Sequence, residues 1–230
     1  MRHVSSLILV GGGLLAFGAA FANMSLLLRT GTTVSHLTGD ISRLSLDLVR
    51  MSPEFLGDLL RVGCAAVFFW FGALVSGFFI HHPSLDFTRP YGRTVSGIGI
   101  VFLLGSFLVS RNSLVAISLS ALGCGLQNAL ATRYRGIILR TTHLTGLMTD
   151  LGTNLGMRLK GLDIPMWKIA VPAILIGCFV AGGMCASYVE LHWHRNALGM
   201  AGVAYLIAGI LWSAFKRGFP GSLPAEGGEV

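Results

Sequence analysis

One short sequence is written twice in this chain: His-Leu-Thr-Gly, two variable residues, then a hydroxyl residue. It stands at His36–Ser42 and again at His143–Thr149. The offset is 107 residues (143 − 36), and it holds without a gap from Gly18/Gly125 through Ala22/Ala129 to Leu44/Leu151. A four-residue identity alone can arise by chance. The same register carried by glycine, alanine and leucine on both flanks marks an internal duplication of about half the chain. The fold must therefore be built from two related halves.

The medium in which those halves fold follows from polarity. Of 230 residues, 53% are hydrophobic and 12% charged, whereas about one quarter of a soluble domain is charged. So apolar a chain cannot clothe a globule in polar surface, so an all-α integral membrane protein with the lipid bilayer as its partner is expected. The 31 glycines suit helices that approach closely in lipid. The net charge is +7, but no Lys/Arg-rich run exists, and the basic residues lie between apolar segments as the positive-inside rule requires. Nucleic acid is not an expected partner. The four cysteines all fall within apolar segments, without metal-ligand spacing, and read as packing residues. No metal and no cofactor is expected.

Six apolar stretches are long enough to span: about Leu7–Leu28, Leu59–Ile80, Thr94–Ser110, Ser113–Thr132, Asp163–Ser187 and Ala197–Phe215. Ala20-Phe21-Ala22 has the form of a signal cleavage site, but cleavage there would remove Gly18 and Ala22 from the repeated register. Ser52-Pro53-Glu54 and Asp163-Ile164-Pro165 read as helix starts. After the first and fourth spans comes a motif with a short helix of its own. In the first, Ile41, Leu44, Leu48 and Met51 recur at helical spacing opposite Asp40, Arg43, Asp47 and Arg50. The charges are spaced to pair along the helix. Four charges make it a poor lipid-facing span, so an amphipathic or re-entrant helix is expected.

The expected architecture is one membrane domain over 1–215, with repeat 1 at about 7–110 and repeat 2 at about 113–215, and a disordered cytoplasmic tail at 216–230. Each half makes three crossings, and an odd number forces the halves into opposite orientation, an inverted repeat. With the N-terminus inside, eleven Lys/Arg fall inside and six outside, which favours two cytoplasmic termini.

Thr38-Gly39 and Thr145-Gly146 read as helix starts, a hydroxyl cap followed by a glycine. A helix N-terminus carries partial positive charge and unpaired N–H groups, which suit an anion or a polar ligand. Two such starts would frame a pseudo-symmetric site lined by Ser35, His36, Thr38, Gly39, Asp40, Thr142, His143, Thr145, Gly146 and Asp150, with Gln127 and Asn128 as neighbours. Each residue also has a bland role, since polar groups in a membrane must be satisfied whether or not they act. His36 and His143 suit proton coupling by their ordinary titration range. No nucleophile elbow, HExxH or P-loop is present, so catalysis is not expected.

Three blocks carry a family resemblance: Val34-Ser35-His36-Leu37-Thr38-Gly39, Gly125-Leu126-Gln127-Asn128-Ala129, and Arg140-Thr141-Thr142-His143-Leu144-Thr145-Gly146 with Asp150-Leu151-Gly152. Over about residues 10–215 the chain resembles the YoaK-like family of bacterial multi-pass membrane proteins of uncharacterised function. Two departures stand out. The family often has asparagine where this chain has Asp40, and an acid in the first span where this chain offers Asn23, which puts any coupling role of that acid in doubt here. The resemblance implies a membrane protein of this length and supplies no substrate. The expectation is a small transporter or permease of the bacterial inner membrane, which binds a small polar or anionic solute between the two motifs. A homodimer would help so short a chain enclose a pathway. The alternative is a non-transporting scaffold or sensor whose motifs serve helix packing.

Overall fold

The computed structural model describes residues 2–79, 91–130, 133–134, 137–138 and 141–218. Eight helices make up almost all of it: α1 (Arg2–Thr30), α2 (Leu37–Arg50), α3 (Phe55–Phe79), α4 (Tyr91–Leu108), α5 (Ser113–Leu130), α6 (Leu144–Leu159), α7 (Trp167–His192) and α8 (Ala197–Gly218). The one strand pair described is β1 (Arg133–Tyr134) against β2 (Ile137–Ile138), antiparallel. All helices except α2 and α6 are long and apolar enough to cross a membrane. Large side chains such as Trp70 and Phe78 stand on their outer faces, as expected where lipid covers them.

Several boundaries differ from the sequence expectation for local reasons. The Ser52 hydroxyl donates to Glu54 (2.6 Å) and Phe55 N donates to Ser52 O (3.1 Å), so Ser52–Glu54 form a turn and α3 starts after it. Lys168 N reaches Pro165 O, and α7 likewise begins beyond its proline. α8 continues through Lys216 and Arg217, which the expectation placed in the tail. Cations suit the negative end of a helix. Residues 80–90, Arg135, Arg140 and the tail beyond 218 lie outside the described residues.

α1 and α5 are about half-buried, whereas the other four long helices show most of their surface outward. The pair therefore forms the centre. α1 runs parallel to α7, since Gly12 faces Leu175, Phe17 faces Gly182 and Arg29 reaches Glu190. α8 is antiparallel to α1, because Gly18 faces Tyr205 while Leu198 N donates to Ser25. α4 lies antiparallel to α8, with Gly92 against Gly209 and Gly99 against Gly202. α5 is antiparallel to α4, with Gly105 against Ser120 and Gly123 against Phe102. α3 packs on α5, α2 on α3 and α6 on α7. Following these directions round the bundle, α5 runs opposite to α1.

Both short helices end on a residue with positive φ. Met51 (φ 51°) closes α2, with Ser52 N bonded to Asp47 O. Gly161 (φ 92°) follows α6, with Leu162 N bonded to Met157 O. This is the reversed closing bond of a helix C-terminus. At Gly161 a side chain meets the steric cost of that backbone. Gly161→Ala is expected to lose about 1 kcal/mol, read as a lower unfolding midpoint in detergent.

Candidate functional site

The first motif is hung from α1. After Thr30 the chain turns at Gly31 (φ 72°) and doubles back, so that Val34 N and Ser35 N donate to Asn23 Oδ1 at 2.9 and 3.1 Å. Asn23 lies about two turns before the end of its helix, so α2 begins beside the interior of the bundle, not at its edge. Asp40, in the first turn of α2, accepts from Thr33 N (2.9 Å) and from the Thr33 hydroxyl (2.6 Å) and closes the loop. The His36 ring meets Phe179, at the middle of α7, edge-on at 5.2 Å between centroids.

The second motif is hung from α5. Gln127 is fully buried; its Nε2 donates to Leu15 O (2.8 Å) and to the Thr141 hydroxyl (3.0 Å), and its Oε1 accepts from the Tyr205 hydroxyl (2.6 Å). The Thr142 hydroxyl donates to Asn128 Oδ1 (2.7 Å). Amide side chains of the preceding span thus position both motifs, through backbone N–H groups in one half and hydroxyls in the other. These bonds also satisfy polar groups that would otherwise be costly in apolar surroundings.

The helices start at Leu37 and Leu144, with His36 and His143 in the capping positions and no side-chain cap on either. This corrects the expectation that Thr38 and Thr145 cap them. Both threonines are already inside the helix and exposed, and an N-cap must precede the first helical residue. Their carbonyls accept instead from the last residue of each motif, Ser42 (2.9 Å) and Thr149 (3.0 Å), which accounts for the repeated hydroxyl. At Gly146 a Cβ would lie 2.6 Å from Nδ1 of His143, whose ring folds back over the helix start. Gly39 has open space in the same position. Asp150 is exposed on the second turn of α6 and is not drawn to the histidines.

His36 is the more buried member of the pair. Burial lowers its pKa from the ordinary value; Asp40 opposes the shift, and the positive form of His143 adds to it. Folding therefore favours neutral His36. Its contribution to stability is complete above the ordinary histidine range and is lost as pH falls toward the depressed value. His36 Nε2 and Ser35 Oγ, side by side, are both buried without a hydrogen-bond partner among the described residues. Such atoms call for an explanation. Among those residues no three His, Cys, Asp or Glu side chains gather as metal ligands.

Sequence reasoning missed the roles of Asn23, Thr33, Phe179 and Tyr205. Asn23 had a signal, as the one amide in a long apolar span; the aromatic partners had none. No curated protein and no solved structure matches the chain. A family match runs over residues 12–211, from α1 into α8, and thus takes in both motifs and the amides that hold them. Its description is a protein of unknown function, and on that match the chain belongs to the DUF1275 family.

Proposed function

We propose that this protein is a small transporter or permease of the bacterial inner membrane, an inverted repeat that binds a small polar or anionic solute between the starts of α2 and α6. The repeat reading is supported by the way contacts exchange. α1 packs on α7 as α5 packs on α3; α2 lies on α3 as α6 lies on α7; α8 meets α1 as α4 meets α5; and α4 and α8 pack on each other. Exchanging the two halves returns these contacts, and α1 and α5 run in opposite directions. Both are expected of halves related by a two-fold axis in the membrane plane. In this reading α2 and α6 are re-entrant half-helices that enter from opposite faces.

The solute reading is supported by one observation: two polar atoms just before the start of α2, His36 Nε2 and Ser35 Oγ, are buried with no hydrogen-bond partner among the described residues. Free N–H groups at a helix start favour negative charge, and irregular backbone at membrane depth is tolerated where it lines a cavity. A variant combining His36→Ala, His143→Ala, Thr38→Val and Thr145→Val tests it. Reconstituted in vesicles, it is expected to keep its helical circular dichroism and lose uptake of whichever of chloride, nitrate, phosphate, sulfate or succinate the natural protein carries. Undiminished uptake would overturn the site. Loss of stability alone, with no solute shifting the melting temperature of the natural protein, would return the motifs to helix packing.

A further inference from the structure

One polar cluster ties the two halves of the chain together at a single end of the bundle. Ser25 and Arg29 stand in the last two turns of α1, in the first half; Glu190 closes α7 and Ala197 opens α8, in the second. The Glu190 side chain is 7% exposed and accepts from Arg29 Nε and Nη2, from the Ser25 hydroxyl and from Ala197 N. Three helix ends meet on one carboxylate.

The duplication shows what the matching place in the other half holds. Pro53 and Pro165 are 112 apart (165 − 53) and Gly72 and Gly182 are 110 apart (182 − 72), so Glu190 matches 78–80, Phe-Phe-Ile. No acid stands there, and Phe78 and Phe79 are exposed. Because α1 and α5 run in opposite directions, that place belongs to the opposite end. Two like halves are therefore tied unlike at their two ends.

Little else holds the end of α7. Its backbone is fixed against α1 at Gly182, where a Cβ would lie 2.2 Å from Phe17 O. Eight residues (190 − 182), about 12 Å, lead from there to Glu190, and beyond Gly183 the buried ones are Ala186 and Val189. Such small side chains bury little apolar area. Arg29 is 28% exposed, so water can take over its charge as the cluster parts. The chain from Gly31 to His36 runs from the end of α1 past Asn23 to Phe179 of α7. Parting α7 from α1 at this end opens the way to Ser35 and His36.

We propose that Glu190 is a latch between the two repeats. Held by Arg29, Ser25 and Ala197 N, it closes this end of the bundle. Released, it lets the end of α7 swing about the Phe17–Gly182 crossing, a hinge motion of packed helices. The protein exchanges between the two forms, with the latched one dominant. This rests on the inverted-repeat transporter reading given above, in which one repeat moves against the other to expose the site.

The test places pairs of spin labels on the full chain in nanodiscs, after Cys64, Cys124, Cys178 and Cys185 are replaced by alanine. Phe107→Cys with Leu191→Cys reports the latched end, since Asn196 Nδ2 holds the start of α8 to Ser106 O of α4. Arg93→Cys with Ile174→Cys reports the opposite end; all four positions are exposed. Pulsed distance measurements are expected to give two populations for the first pair, the shorter dominant. Glu190→Gln and Arg29→Gln are expected to enlarge the longer population about tenfold, the effect of losing one charged hydrogen bond. Its distance and the second pair stay unchanged. Arg29→Gln keeps Ser25 and Ala197 as donors to the carboxylate, so it reports release even where Glu190→Gln folds poorly. A single distance in all three proteins, or a longer one found only in the variants, would overturn the latch and leave the cluster a fixed tie. No solute enters this measurement, so its failure leaves the solute reading standing. Absence of anion uptake by the natural protein would overturn that reading without moving these distances.

Discussion

Glu190→Ala is expected to destabilise the protein by about 2–3 kcal/mol, the cost of removing a charged acceptor from the donors that converge on it. Glu190 stands in the last turn of α7 with its side chain only 7% exposed, against 28% for its partner Arg29 on α1. Arg29 donates to both carboxylate oxygens, at 2.6 Å from Nη2 and 2.9–3.0 Å from Nε. The Ser25 hydroxyl donates at 2.5 Å and Ala197 N at 2.9 Å. Ser25 Oγ in turn accepts from Leu198 N at 3.0 Å. One carboxylate therefore joins α1 to α7 and accepts from Ala197 N at the start of α8, while Ser25, bonded to it, accepts from Leu198 N. Alanine would leave the buried Ser25 hydroxyl and Ala197 N without their acceptor. Arg29→Ala is expected to cost less, because the carboxylate keeps Ser25 and Ala197 as donors. Unfolding of each variant in mixed micelles measures the difference. A Glu190→Ala protein within about 1 kcal/mol of the natural one, the range of a solvated surface pair, would show that water already screens the cluster.

Gly125→Leu is expected to exceed the roughly 1–3 kcal/mol of ordinary overpacking and to yield protein that elutes as aggregate. A Cβ at Gly125 would sit 2.0 Å from Phe69 O of α3, and one at Gly72 would sit 2.2 Å from Leu122 O of α5. The obstacle is backbone, so no rotamer change relieves it, and the helices must separate. Lipid offers little to offset lost helix contact, since association there depends on close packing. The same crossing recurs between α7 and α1, where a Cβ at Gly182 would lie 2.2 Å from Phe17 O. Gly97 in α4 and Gly177 in α7 face open space. Leucine at either is expected to leave the elution profile unchanged, and equal damage at all sites would remove the role assigned to these crossings.

Some of this was legible along the chain. Gln127 and Asn128 stand out as amides at the end of an apolar span, and the structure sets them against Thr141 and Thr142. The double motif marks where α2 and α6 begin to within a residue. The capping error shows the limit of local reasoning. Thr-Gly names residue types that favour a helix start, but the first helical residue is decided by what holds the loop. Here Asn23 and Asp40 draw 33–35 back along α1, and the helix begins at Leu37, one residue ahead of Thr38. Glu190 falls between the expected spans 163–187 and 197–215; its partners Ser25 and Arg29 lie more than 160 residues away. Nothing in either local sequence marks the other as its counter-charge.

By itself the sequence determined the helical class, the apolar spans, the two short helices and the division into halves. All four depend on sums over neighbouring residues: hydropathy over a window, spacing along one helix face, and self-similarity at a fixed offset. Which spans touch, which run together, and which of two identical histidines is buried were decided only by tertiary structure. Those outcomes depend on residues brought together from opposite ends of the chain, where one glycine against a distant carbonyl sets how close two helices lie. The asymmetry of the site has that origin, with His36 edge-on to Phe179 and His143 folded over Gly146.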